Sequence, residues 1–302
     1  MGILRCLFAA FILFSAFFCQ GQTASRKKIS LDDNWKFKFG HAANPEKDFN
    51  YSIATIFSKS GGAFGTAIDP RFRDSAWRTL DLPHDWAVEL PFVNVDNRDV
   101  ESHGYKPVGG LFPETSIGWY RKHFTISSAD SGTRFQIQFD GIFRNANIWL
   151  NGFFVGNNMS GYIGASYDVT DFIRFDRDNI LVVRVDATQY EGWFYEGAGI
   201  YRHVWLNQYD NLHIPAGGLF VYADVQNKNA TVNIETTVKN QNFSSANCTV
   251  YSYITDREGK QLGQTKEQPL SLSVNAKGTI KQKLIVSNPR LWSLEDPYLY
   301  RV

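Results

Sequence analysis

Within six residues, Glu191-Gly-Trp193-Phe-Tyr195-Glu196, the chain places two carboxylates beside large aromatic rings. That combination suits a polyhydroxylated ligand: a ring face stacks on the apolar face of a pyranose while a carboxylate accepts hydrogen bonds from hydroxyls. Glu191, Trp193, Tyr195 and Glu196 are therefore candidate substrate-binding residues. The same aromatics equally suit closure of one end of a β-sandwich core, because large rings dominate buried β surfaces. The segment runs on through Gly197-Ala-Gly199-Ile-Tyr201-Arg202 to the strand-like Val204-Trp-Leu206, where Arg202 fits a structural ion pair or a backbone contact.

Other chemistries find little support. His84 and Asp85 sit side by side as an acid–base dyad would, but no Gly-x-Ser-x-Gly nucleophile motif accompanies them, and Asp85 fits better as the brace of a turn around Pro83. The six histidines are scattered, with neither a His-Glu-x-x-His nor a paired-cysteine spacing, so no metal ligand is assigned. Ser60 to Gly65 lacks the Lys-Ser/Thr ending of a phosphate loop. Gly197-Ala-Gly199 begins like a dinucleotide fingerprint but carries Arg202 where the third glycine belongs. No cofactor is expected. A formal net charge of +1, with Arg26-Lys-Lys28 the one short basic run, argues against a nucleic-acid partner.

The elements that would position these residues read as all-β. Phe135-Gln-Ile-Gln-Phe139 and Tyr120 to Ile126 alternate with period two, and Ile180 to Val185 reads as a strand buried on both faces. Asn145 to Val155 is a hairpin turning at Asn151-Gly152, whose positive φ angles a type I′ turn requires. Tyr167 to Phe172 is a further run. The pattern breaks near Asn207 to Gly218, and alternating segments resume at 231–238, 248–254, 270–274 and 280–286, at the spacing of an immunoglobulin-like sandwich. Pro297 to Val302 reads as the start of a strand, which would leave an unpaired edge, so the chain is expected to be the N-terminal part of a longer protein.

The beginning has a targeting character. Arg5 precedes an apolar run from Cys6 to Cys19 and then the small, polar segment Gln20 to Ser25, the pattern of a secretory signal peptide. The run is short for a bilayer-spanning helix, which needs roughly 20 residues. An uncleaved anchor is the alternative; lipid attachment at Cys19 fits less well after the bulky Phe17 and Phe18. The protein is therefore expected to be exported, to the periplasm or the extracellular space. Of three cysteines only Cys248 then remains, so no internal disulfide forms and core burial from a 43 % hydrophobic, 15 % aromatic composition must suffice. Cys248 is expected to be a buried structural thiol.

Four ordered motifs carry a family resemblance: Leu82-Pro-His-Asp-Trp86, Gly118-Trp-Tyr-Arg-Lys-His-Phe124, Phe139-Asp-Gly-Ile-Phe-Arg-Asn-Ala-Asn-Ile-Trp-Leu-Asn-Gly152 and Gly199-Ile-Tyr-Arg202. Together with Trp292 to Tyr300, they resemble the N-terminal region of family 2 glycoside hydrolases, above all the bacterial β-galactosidases, with β-glucuronidases and β-mannosidases as alternatives. The resemblance implies an all-β architecture, a jelly-roll sugar-binding β-sandwich (25–210, after a signal peptide at 1–24) followed by an incomplete immunoglobulin-like β-sandwich (211–302). It also implies a (β/α)8 barrel, missing here and supplied in cis or in trans, that bears both catalytic glutamates, so no catalytic residue is assigned in this chain. Glu191 to Gly199 corresponds to a loop that helps hold a non-reducing sugar at the barrel rim, where relatives carry Asp before the Trp. The partners implied are a β-galactoside-like carbohydrate, the barrel, and a second copy in a homo-oligomer. A non-catalytic carbohydrate-binding module and a structural β-sandwich protein are the competing readings.

Overall fold

A computed structural model describes residues 26–52, 64–91, 112–189 and 195–302. The expected signal segment, with Glu191 and Trp193, lies outside the described residues. Ten strands come first: β1 Lys27–Ser30, β2 Trp35–Phe39, β3 Arg78–Leu80, β4 Ile117–Thr125, β5 Arg134–Phe139, β6 Ala146–Leu150, β7 Phe153–Asn158, β8 Ala165–Asp168, β9 Asp178–Asp186 and β10 Val204–Tyr209. They form a six-stranded antiparallel sheet, β3-β2-β4-β9-β6-β7, and a four-stranded one, β1-β10-β5-β8. Asn151 and Gly152 turn the β6–β7 hairpin with φ of 54° and 89°, as the Asn-Gly pair predicts.

The two sheets close over one core. Trp35, Phe37, Tyr120, Ile148, Leu181 and Val183 from the larger sheet face Phe135, Ile137, Phe139, Val204 and Leu206 from the smaller. Alternation along each strand, as in Phe135-Gln-Ile-Gln-Phe139 with its inward apolar positions, generates this layer. The larger sheet also buries its outer face: Ile117, Trp119, Trp149, Ile180 and Val182 lie beneath Phe49, Tyr51, Ala67, Ile68, Phe72 and Trp77. That second layer explains why β9 is apolar on both sides.

Two ion pairs are sealed under the same layer. Arg121, fully buried, donates from Nε to Asp74 Oδ2 at 2.7 Å and also to the carbonyl of Ala67. Arg184 donates from Nε to Asp48 Oδ2 at 3.0 Å, and Trp119 Nε1 donates to Asp48 Oδ1 at 2.6 Å. Burial raises the Asp48 carboxyl above its ordinary range in spite of Arg184.

The remaining strands are β11 Leu212–His213, β12 Leu219–Gln226, β13 Asn229–Asn240, β14 Ala246–Val250, β15 Tyr253–Thr255, β16 Gln261–Gln264, β17 Gln268–Leu272 and β18 Lys277–Ser287. β13 pairs with β11 and β12 along one edge and with β18 along the other; β14 pairs with β17, and β15 with β16. The result is an immunoglobulin-like sandwich whose core is small: Ala230, Val232, Ile234, Ile254, Leu284 and Val286, with a satellite around Val238, Val250 and Leu272. β12 is an edge strand exposed along its whole length.

Four expectations need correction. The 248–254 run is two strands, interrupted where the backbone of Ser252 pairs with Thr265 and its hydroxyl with Gln282. Pro297 to Val302 does not form a strand: Asp296 takes the amides of Ser293 and Tyr298 on its own carbonyl, and pairing is limited to a bridge between Arg301 and Thr255. Cys248 is half-buried, not sealed in the core, though burial still pushes its thiol up. Tyr167 to Phe172 likewise divides, into the end of β8 and a short 3-10 turn at Thr170–Phe172.

Candidate functional site

The site is built on a short extended segment that carries Asp85 between two buried neighbours. His84 donates its amide to the carbonyl of Ile200 at 2.8 Å, and Trp86 donates to that of Ala198 at 2.9 Å, so residues 84–86 lie alongside 198–200. Strand alternation then sends His84 and Trp86 inward and Asp85 outward. Trp86 is fully buried and donates its indole N–H to the carbonyl of Thr115 at 2.7 Å, which pins the segment to the core.

Asp85 accepts from three donors. It caps the 3-10 turn Trp86–Glu89 by accepting from the Ala87 amide at 3.0 Å, and the same oxygen, Oδ1, accepts from the Ala198 amide at 2.8 Å. Its other oxygen accepts from the Tyr195 hydroxyl at 2.7 Å. A carboxylate oxygen can take two hydrogen bonds, so Oδ2 retains capacity for a further hydroxyl donor. The expected turn-bracing role of Asp85 is real, and it places the carboxylate beside a site candidate that sequence reasoning had kept apart from it.

Tyr195 is 52 % exposed. Partial burial, reinforced by the hydrogen bond to Asp85 and the charge there, raises its phenol well above the ordinary value, so it remains a donor at neutral pH. Tyr162, also exposed, donates its hydroxyl to the Tyr195 carbonyl at 3.3 Å and packs edge-on against Phe143 with ring centroids 5.5 Å apart. Glu196 is buried, so of the two described candidates Tyr195 is the one open to a ligand.

Glycines make the close approach possible. Gly199 has φ of 122°, and a Cβ there would lie 2.4 Å from the Tyr120 hydroxyl and 2.7 Å from the His84 carbonyl. Its amide and carbonyl exchange hydrogen bonds with Phe143, at 2.7 and 2.9 Å, which ties this segment to the β5–β6 connection. At Gly197 a Cβ would sit 2.7 Å from Asp85 Oδ2.

Below the rim runs a second polar tier. His84 Nδ1 is 2.7 Å from the Tyr120 hydroxyl, and Nε2 is 3.2 Å from Glu89 Oε1. Glu89 in turn receives both guanidinium nitrogens of Arg78, at 2.6 and 2.8 Å. Burial lowers the His84 imidazole and raises the Tyr120 phenol, while the hydrogen bond from Arg78 holds Glu89 below the usual range. Arg202 is exposed near Asp140, whose carboxyl is pushed up by burial but held low by Trp205, Gln138 and the positive charge of Lys28 and Arg202. Among the described residues no group of three His, Cys, Asp or Glu side chains could hold a metal ion.

Similarity to known proteins follows the same division of the chain. The family described as "Glycosyl hydrolases family 2, sugar binding domain" matches residues 64–210, and "Glycosyl hydrolases family 2" matches residues 212–302. A β-galactosidase of Bacteroides ovatus is 39 % identical over 236 residues, covering 78 % of this chain and 27 % of that protein. A β-glucuronidase of Formosa agariphila is 28 % identical over 276 residues, covering 84 % and 27 %. A crystal structure of a family 2 member from Bacteroides cellulosilyticus superposes with a TM-score of 0.73 at 31 % identity, covering 91 % of this chain and 32 % of that one. The chain thus spans about 27 % of the length of these curated relatives. With two successive family matches on the two sandwiches, the chain belongs to glycosyl hydrolase family 2, of which it carries the sugar-binding domain and the immunoglobulin-like domain.

Proposed function

We propose that this chain is the accessory front of an exported β-galactoside hydrolase. A jelly-roll domain over about 25–210 lends its Asp85–Tyr195 end to the rim of a sugar pocket, and an immunoglobulin-like domain over 211–302 connects it to a (β/α)8 barrel outside this sequence. The barrel supplies the two glutamates. Retaining hydrolysis needs an acid/base carboxyl and a nucleophile about 5–5.5 Å apart, and Asp85, committed to two backbone amides and Tyr195, fits neither role. A rim carboxylate acts instead by fixing a hydroxyl and thereby the orientation of the ring. Export is proposed from the apolar run before Gln20; among the described residues no helix is long and apolar enough to cross a membrane.

The observation that carries the reading is the meeting of Asp85 with the exposed Tyr195. The choice of β-galactoside rests on the 39 % identical β-galactosidase; the β-glucuronidases among the relatives favour a β-glucuronide as the second reading. The test is hydrolysis of chromogenic β-galactosides and β-glucuronides by this chain and by a product extended through any downstream barrel sequence. The chain should cleave neither, the extended protein should cleave the galactoside, and Tyr195→Phe in it should raise KM more than it lowers kcat. Turnover by the chain alone would overturn the barrel assignment, and preference for the glucuronide would install the second reading. Sugar binding with no barrel sequence downstream would make the chain a free-standing binding module.

A further inference from the structure

A cleft at the junction of the two sandwiches gathers positive charge, and two of its lysines have no ion-pair partner among the described residues. It has a volume of 310 Å3, at the small end of the ligand-pocket range of roughly 300–1,000 Å3. Lys239 on β13 and Lys277 on β18 both line it and stand directly opposite each other in the strand register. Like charges in that relation are destabilising. Four residues earlier on β13, Glu235 faces Lys281 in the same register and binds it at 2.7 Å, so these strands do match opposite charges elsewhere. Among the described residues neither Lys239 nor Lys277 has an ion-pair partner.

The surroundings add to the excess. Arg26 lines the cleft, its guanidinium over the Tyr209 ring at 5.8 Å, and the one acidic lining residue, Asp168, is already bound to Arg134 and to Thr170. His213 lines it too. Among the described residues its buried Nδ1 has no hydrogen-bond partner, and burial, Lys239 and Arg134 outweigh the carbonyls of Asp210 and Asn211 in holding its imidazole below the ordinary value. Uncharged donors and acceptors complete the lining: Gln136, Ser166 and Gln241. Such amides and hydroxyls can both donate to and accept from sugar hydroxyls. An adjoining hollow of 490 Å3, lined by Leu212, Ile214, Pro215 and Leu219 and bounded by Asp210, offers an apolar surface for a ring face.

We propose that this cleft is a saccharide site, separate from the Asp85–Tyr195 end, that takes a sugar bearing an oxyanion, either a carboxylate or a sulfate ester, held between Lys239, Lys277 and Arg26. The register of β5 with β10, from Phe139↔Val204 to Arg134↔Tyr209, places it at the opposite end of the smaller sheet from Phe143 and Gly199. Occupancy would bridge the two sandwiches across the 210–218 connection.

The test is calorimetric titration of the full chain at fixed ionic strength with galacturonate, galactose 6-sulfate, galactose and sodium sulfate. One or both of the acidic sugars should bind, and which of them does so identifies the oxyanion. The Lys239→Gln/Lys277→Gln double variant should lose affinity at least about tenfold, the worth of one charge-assisted hydrogen bond, whereas Tyr195→Phe should leave it unchanged. Because the double substitution removes a repulsion, its thermal midpoint should not fall; Lys239→Gln alone should show an intermediate loss. The proposal is overturned if neither acidic sugar binds, if sodium sulfate binds as tightly as both, if galactose binds as well, or if the double variant retains the parent affinity.

Discussion

The hydroxyl of Tyr195 donates to Asp85 Oδ2 at 2.7 Å across a sequence separation of 110 residues, and with the backbone bonds of Ala198 and Ile200 it joins the aromatic segment to the loop after Pro83. Tyr195→Phe removes it at a half-exposed position, so the loss of stability should be about 1 kcal/mol. Asp85→Ala should cost roughly 2–3 kcal/mol, because it also strips the cap from Ala87 and the acceptor from Ala198. Urea midpoints of the two variants check this; equal losses would mean that the backbone bonds contribute nothing.

Gly199→Ala should be among the most damaging single substitutions. The position combines a φ of 122° with a Cβ contact of 2.4 Å to the buried Tyr120 hydroxyl. Strained backbone and overpacking each cost roughly 1–3 kcal/mol. A thermal midpoint within a degree or two of the parent would refute the account of the close approach.

Acidification should weaken the first sandwich through His84. Burial depresses its folded-state pKa below the ordinary 6.5, so at lower pH the unfolded chain takes up a proton that the folded chain refuses. Stability is therefore full above about pH 6.5 and declines as the pH falls through that value. Glu89, held low by Arg78, contributes a separate loss below its ordinary 4.5. His84→Gln should flatten the slope of unfolding free energy between about pH 7.5 and 5.5 while leaving the lower window in place; an unchanged slope would show that another group titrates there.

Asp74→Ala leaves the fully buried Arg121 guanidinium without its carboxylate. Removing one partner of a buried pair costs about 3–5 kcal/mol. The exposed pair Lys281–Glu235 makes the comparison, and Lys281→Ala should produce no measurable change in the denaturation midpoint.

Much of the fold was legible because its signals are local. The Asn151-Gly152 turn, the alternation along β5 and the doubly apolar β9 each state their environment within a few residues. What covers β9 was not legible. Residues 40–52 and 64–77 carry no strand, and their role rests on Asp48 and Asp74 meeting Arg184 and Arg121 from 136 and 47 positions away. The site divided in the same way. Tyr195 stands out by its aromatic company, whereas Asp85 looks like any turn carboxylate until residues 198–200 are laid beside 84–86. The dipeptide His84-Asp85 was itself the available signal, since alternation about a buried Trp86 requires the two side chains to point apart.

The uncovered run Leu219–Gln226 gives the isolated chain a particular colloidal character. Phe220 and Tyr222 hold their rings 5.6 Å apart and tilted by 38° on a strand whose outer N–H and C=O groups meet no neighbouring strand among the described residues. Such a margin is a template onto which any other extended segment can dock. Handling of the purified polypeptide is thus governed less by the larger core of the first sandwich than by eight residues of the second, whose recruitment of further copies would rise with concentration and set the ceiling on its solubility.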